Sequence, residues 1–289
     1  MTSAARRPSR PHPPGFPAPA GSPILLDRMT DLAKLSFPDV QALLARAGGC
    51  AAILPVGSTE AHGPHLPLDT DVTIALGMAR RAAEKLAIAG RACVVLPAVA
   101  YSVTDFAAPF AGTLSVRAET AAACLRDVLA AALATGFRPV AVANAHLEPA
   151  HIETIRRALA DVRAQSGVDV VFPDVTRRAN AQRLGAEFQS GACHAGRYEG
   201  SLVMADDAAS VKDGVRRALP EVKISLVDAI RAGQRNFQEA GGTQAYFGQP
   251  AQASAEEGRA TFEVLATLLV EALSAAPDGA RAAPGRPAP

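Results

Sequence analysis

Short apolar runs alternate with longer helical segments through the middle of this chain, and that alternation narrows the available folds more than any other feature. AAILPV (51–56) and ACVVLPAV (92–99) are continuous apolar stretches of the kind that strands buried on both faces adopt. Between them, TIALGMARRAAEKLAIAG reads as a helix closed by Gly90. The pattern then repeats. RAETAAACLRDVLAAALATG is a helix ending at Gly136, PVAVANA (139–145) a strand, HIETIRRALADVRAQSG a helix ending at Gly167, and VDVVFP (168–173) a further strand. Ser254 and Glu257 have capping-box spacing ahead of a last helix, EGRATFEVLATLLVEALSAA. This succession predicts an α/β fold: one three-layer α/β/α domain with a mostly parallel central sheet between helices.

The domain is expected to span 25–275. Residues 1–24 and 276–289 are rich in Pro, Ala and Arg and are expected to be disordered. Hydrophobic residues make up 49 %, enough for a sizeable core. A net charge of +1 with no dense basic block argues against nucleic acid as a partner. Cys50, Cys93, Cys124 and Cys193 form no CxxC pair, so neither a zinc knuckle nor a disulfide framework is indicated and a reducing compartment fits. The region Pro8 to Pro23 has no apolar h-region, and no apolar run reaches the roughly 18 residues a bilayer span needs. A cytoplasmic protein that does not enter a membrane is expected.

The densest polar chemistry lies just after the first strand, in GSTEAHGPHLPLDTD (Gly57 to Asp71). Glu60 and His62, two apart in an extended segment, project to one side, and Asp71 begins the next helix. NAHLEPAH, just beyond another strand, offers His146 and Glu148 at the same spacing. In a parallel sheet, ligands gather beyond the carboxyl ends of the strands, so these loops are expected on one edge. Two imidazoles and three carboxylates match what two divalent ions roughly 3.5 to 4 Å apart require. Zn or Mn, or else Fe, suits such nitrogen and oxygen donors, and no soft thiolate site is implied. Taken singly, each residue has a plainer use: Asp71 as a helix cap, Glu60 and His62 as solvated loop groups.

A third cluster is CHAGRYEGS (193–201). His194, on a loop between a helix ending near Gly191 and one beginning near Glu199, is a candidate general acid or carbonyl polariser; a hydrogen-bonded structural histidine is the alternative. Cys193 reads as a buried inert thiol rather than a nucleophile, and Glu199 as a complement to a helix dipole. His65 and His151 read as supporting or solvated groups, and His12 falls in the N-terminal tail.

LPVGSTEAHGPHLPLDTD resembles the first signature of the creatininase family of metal-dependent amidohydrolases. HAGRYEGS resembles the family's H-A-G-x-x-E-T-S, GTLS (112–115) its G-T-[IL]-S turn, and GQPAQASAEEG near 248 its later G-D-P segment. The resemblance runs from about 45 to 270. It implies a creatininase-like fold, a homohexamer, and two metal ions per subunit. By it, Glu60, His62 and Asp71 stand at ligand positions with Asp71 as the bridge. His146 and Glu148 are carried over as the other ligands, Glu60 and His146 on one ion, His62 and Glu148 on the other. His194 takes the position near the scissile amide, with His194 or Glu148 managing the proton. Gly200 and Gln249 depart from the family's Thr and Asp. The chain has no tryptophan, the residue creatininase sets against its substrate, and VTDFAAPF lacks a histidine often found there; creatinine itself is therefore not the expected substrate.

The expected activity is metal-dependent hydrolysis of a C–N bond in a small cyclic amide or formamide. Maturation of a ribosomally made peptide is the first alternative, and a non-catalytic metal-binding or assembly protein on the same fold the second.

Overall fold

The computed structural model describes residues 31–276. The segments 1–24 and 277–289, which carry the expected tails, lie outside the described residues. Helix α1 (Phe37–Leu44) precedes β1 (Cys50–Val56), α2 (Thr70–Ile88), β2 (Ala92–Val95), α3 (Ala118–Thr135), β3 (Val140–Asn144) and α4 (Pro149–Ser166). All three strands are parallel, in the order β2-β1-β3, with Ile53 opposite Val95 on one side and Ala141 on the other. Every residue of β1 and β3 is buried, which is why both read as unbroken apolar runs.

Alternation along β1 divides the core. Ala51 and Ile53 pack with α2 side chains such as Ile74 and Met78, whereas Ala52, Leu54 and Val56 face Leu125 and Leu129 of α3 and Ile155 of α4. The crossover through α2 runs from β1 to β2, and the one through α3 runs back across β1 to β3. Two right-handed crossovers in opposite directions must lie on opposite faces, as these do. The connections leaving the neighbouring strands β1 and β3 therefore part toward α2 on one face and α4 on the other. A crevice opens between them beyond the strand ends.

Two expected strands are shorter than their apolar runs. Pro97 has no N–H, so β2 stops at Val95 and the chain rejoins β1 only at the Val56–Val99 bridge. VDVVFP is reduced to a single parallel bridge between Ala141 and Val171; Pro173 lacks the next donor, and Asp174 turns the chain away by donating its N–H to the Phe172 carbonyl.

The remaining helices are α5 (Arg178–Ala181), α6 (Ala186–Ser190), α7 (Arg197–Asp206), α8 (Asp213–Ala218), α9 (Leu226–Arg231) and α10 (Ala255–Ala275). Phe262 and Leu265 of α10 join Leu202 of α7 and α2 in one cluster. A Cβ on Gly258 would lie 1.8 Å from the Ser201 carbonyl oxygen, so only glycine lets α10 cross α7 this closely. Half of the predicted capping box forms: Ser254 accepts from the Glu257 N–H, but the Glu257 carboxylate pairs with Arg197. All four cysteines are free, and no helix among the described residues is long and apolar enough to cross a membrane.

Candidate metal centre

The loop after β1 enters the crevice at Gly57, where a Cβ would come within 2.7 Å of the Val72 nitrogen at the start of α2. The GTLS turn holds the loop beyond it: Leu114 donates to the Thr59 carbonyl (2.9 Å), and Thr113 Oγ1 accepts from the Ala61 N–H (3.1 Å). Asp71 does not cap α2. It sits in the first turn, 1 % exposed, with Oδ2 accepting from Ser58 Oγ at 2.7 Å.

The five residues picked from the two sheet-edge loops, Glu60, His62, Asp71, His146 and Glu148, converge. His146 Nδ1 lies 3.1 Å from Asp71 Oδ2 and 3.3 Å from Glu60 Oε1. His62 Nε2 lies 3.3 Å from Asp71 Oδ1, 3.7 Å from Glu60 Oε1 and 3.5 Å from Glu199 Oε2. The two oxygens of Asp71 thus face different imidazoles, the geometry a bridging carboxylate needs. Donor atoms close enough to share an ion form the groups Glu60–His146–Glu148, His62–Asp71–Glu199 and Glu60–His62–His194.

The side-chain groupings differ from the expected division between His62 and His146. His62 is grouped with Glu199 rather than with Glu148, so Glu199 does more than complement a helix dipole. Glu148 lies with Glu60 and His146, its two oxygens accepting from the backbone N–H groups of Asp105 and Phe106 (both 3.2 Å). Glu199 gives two local signs, its place in the first turn of α7 and the acidic position of the HAGRYEGS segment. Its burial, which makes that carboxylate matter, comes from the packing of α7.

The ring tautomers are set from behind. His146 Nε2 donates to the Val103 carbonyl (2.8 Å) and His62 Nδ1 to the Glu60 carbonyl (3.2 Å), leaving Nδ1 of one and Nε2 of the other facing the carboxylates. Thr104 Oγ1 donates to Glu60. Asn144 receives the His146 N–H and gives its amide to the His146 carbonyl, and His151 bonds Asn144 Oδ1 (2.8 Å) and Ser102. His151 is therefore a buried supporting residue. His65 is also buried, edge-on to Tyr246, and neither of its ring nitrogens has a hydrogen-bond partner.

The charge balance favours a cation. No Lys or Arg pairs with Glu60, Asp71, Glu148 or Glu199 among the described residues, and His62 Nε2 is a buried polar atom with no hydrogen-bond partner. Burial works against charge on the His62 ring, but Asp71, Glu199 and Glu60 outweigh it and push its pKa up to about 10. Burial raises Glu199 to about 8, with Asp71 and Glu60 adding to the rise and His62 opposing it. Protons thus gather where positive charge is wanted. Imidazole and carboxylate donors of this number fit divalent ions such as Zn or Mn.

The cluster floors a cavity of about 370 Å³ whose walls include Phe106, Leu147, Phe188, Leu226, Ile230 and Phe237. His194 lines it too. Its Nε2 donates to the Ala61 carbonyl (3.0 Å), and its ring lies between His62 and Phe237 at centroid distances of 4.4 and 4.2 Å. Burial, then the charge on His62, holds its pKa down to about 4, so the ring is neutral with Nδ1 as an acceptor 3.9 Å from Glu60. Cys193 reaches the same cavity, but burial pushes its thiol up to about 12.

Known proteins share this architecture. Solved creatininase structures match the fold at 20–22 % identity: a manganese creatininase with a TM-score of 0.65 (21 % identical, covering 85 % of this chain and 98 % of that one), and a variant of Zn–Zn type with a TM-score of 0.64 (22 % identical, covering 85 % and 97 %). A mycofactocin precursor peptide peptidase of Mycobacterium tuberculosis (strain H37Rv) is 33 % identical over 223 residues, 74 % of this chain and 80 % of the relative. The family model for creatininase, described as creatinine amidohydrolase, matches residues 33–273, so the chain belongs to the creatininase family.

Proposed function

We propose that this protein is a divalent-metal-dependent hydrolase that cleaves an amide bond in a ribosomally made peptide. The observation that carries the metal dependence is the set of buried carboxylates converging on the unpartnered His62 Nε2, with no Lys or Arg paired to them among the described residues. Glu60, Asp71 and His146 would hold one ion, and His62, Asp71 and Glu199 the other, with Asp71 shared. Bound divalent ions supply Lewis acidity and a water ionisable near neutral pH. Zinc is the favoured metal, with manganese or iron as alternatives, since nitrogen and oxygen donors accept all three.

The chain's own residues supply the rest. Glu148 stands beside the Glu60–His146 group, and burial raises its pKa to about 7, where a carboxyl both takes and returns a proton. In the proposed reaction it receives the proton of the attacking water and delivers it to the leaving nitrogen. Neutral His194, fixed by the Ala61 carbonyl and the Phe237 ring, borders the site of attack and orients the substrate amide. The apolar walls exclude water around it.

A peptide is favoured over a small cyclic amide by the peptidase relative and by a cavity that opens between phenylalanine and aliphatic walls rather than closing on tryptophan. The small-amide reading keeps the support of the creatininase resemblance itself. To decide, the purified chain is stripped with a chelator, reloaded with Zn²⁺ or Mn²⁺, and assayed on short peptides, lactams and formamides. Metal-restored cleavage of peptides alone is the expected outcome; turnover of lactams alone would replace the substrate, and none anywhere would leave a metal-binding protein. A cytoplasmic homohexamer belongs to the same proposal, and light scattering of the purified protein tests the assembly.

A further inference from the structure

We infer that Glu187, on α6 behind the candidate centre, is a positioning residue whose carboxylate ties the entrance of α7 to the 247–249 segment and so sets where His194 and Glu199 stand. The inference rests on the two-ion reading above. Glu187 Oε2 accepts from the Tyr198 N–H and Oε1 from the Gln249 N–H, each at 2.6 Å. The flanking glycines make room for it. A Cβ on Gly196 would lie 2.7 Å from Oε2, and one on Gly248 2.1 Å from Oε1. Two segments far apart in sequence, HAG and GQP, thus have their glycines at the same carboxylate. A parallel tie joins them, the Phe247 N–H donating to the His194 carbonyl at 2.8 Å.

What the latch holds is a turn that does not hold itself. Ala195 has φ of +50°, in the left-handed region that a residue with a Cβ adopts only when its surroundings require it. Its N–H donates to Glu199 Oε2 at 2.6 Å, the same oxygen that faces His62 Nε2 at 3.5 Å. Glu187 therefore grips the α7 N-terminus from outside while Glu199 folds back from its first turn toward the centre. Burial raises the Glu187 pKa and the backbone N–H groups oppose the rise. The latch also accounts for Gln249. Its backbone N–H meets Glu187 while its side chain turns away to Glu221 (2.7 Å), so a changed side chain there leaves the tie intact.

A merely structural Glu187 would lower stability and affect both ions alike; a positioning role is selective. The test titrates the full-length wild type and Glu187→Gln with Co²⁺, reading equivalents and affinities by calorimetry and the d–d spectrum. In the variant one equivalent is expected to weaken by about 10- to 100-fold while the other is unchanged. Glu199→Gln should weaken that same equivalent, and adding Glu187→Gln to it should cost nothing more. Equal binding of both ions by Glu187→Gln and wild type, or equal weakening of both, overturns the inference. The wild-type arm judges the two-ion reading separately, since it must take up two equivalents before any variant is compared. If Glu187→Gln folds poorly, amide exchange in the wild type decides: protected Tyr198 and Gln249 amides are expected, and freely exchanging ones overturn the latch.

Discussion

The two halves of the candidate centre are held in different ways. Glu60, Asp71 and His146 stand where β1 and β3 end, carried by two paired strands and a loop stitched to the GTLS turn. Glu199 and His194 come from the turn into α7, whose place depends on α10 crossing it at Gly258 and, in the inference above, on Glu187. A ladder of hydrogen bonds positions the first half; packing between distant helices positions the second. In the proposed two-ion centre, the sheet half should therefore tolerate changes around α7, and the helix half should be the first to lose its ion.

Asp71→Ala removes the one residue shared by the two proposed ion sites, so both ions and all metal-restored activity should be lost. Two equivalents retained in that variant would break the bridging assignment. Glu148→Gln separates chemistry from ligation: metal content should stay at the wild-type level while kcat falls by about 10²- to 10⁴-fold, the range for a positioned proton carrier. Loss of an ion instead would move Glu148 into the ligand set. Asn144→Ala sharpens the contrast from the sheet side. It removes the amide that braces the His146 backbone and meets His151, and should weaken one equivalent by about 10- to 100-fold while leaving the His62–Glu199 side intact. Equal weakening of both would show that the halves are not separately held. Cys193→Ser should change least, with activity near the wild-type value and still abolished by a chelator; a dead but metal-loaded variant would restore the thiol as a reacting group.

Much of the sheet half could be read from residue patterns, because its determinants are local. Buried parallel strands leave apolar runs, Gly136 and Gly167 mark helix ends by adopting left-handed φ, and Glu60 and His62 share a side through the two-residue repeat of extended chain. Where local pattern misled, a competing constraint is visible. VDVVFP has strand composition but lies at the sheet edge next to Pro173, and one bridge is all it makes. Glu148 matched His146 in spacing and does lie with it beside Glu60, its oxygens also accepting from the N–H groups of Asp105 and Phe106.

The amino-acid sequence alone determined the α/β order, the crevice at the ends of β1 and β3, and the loops that bring most of the carboxylates and imidazoles to it. Which carboxylate faces His62 was decided only in three dimensions. Glu199 and Glu148 are both acidic residues beside a helix start, alike in any local pattern. The packing of α7 under α10 buries Glu199 against His62, whereas backbone donors from the 105–106 segment hold Glu148 beside Glu60 and His146. Contacts across so many residues depend on how helices dock, and side-chain spacing along the chain carries no record of that.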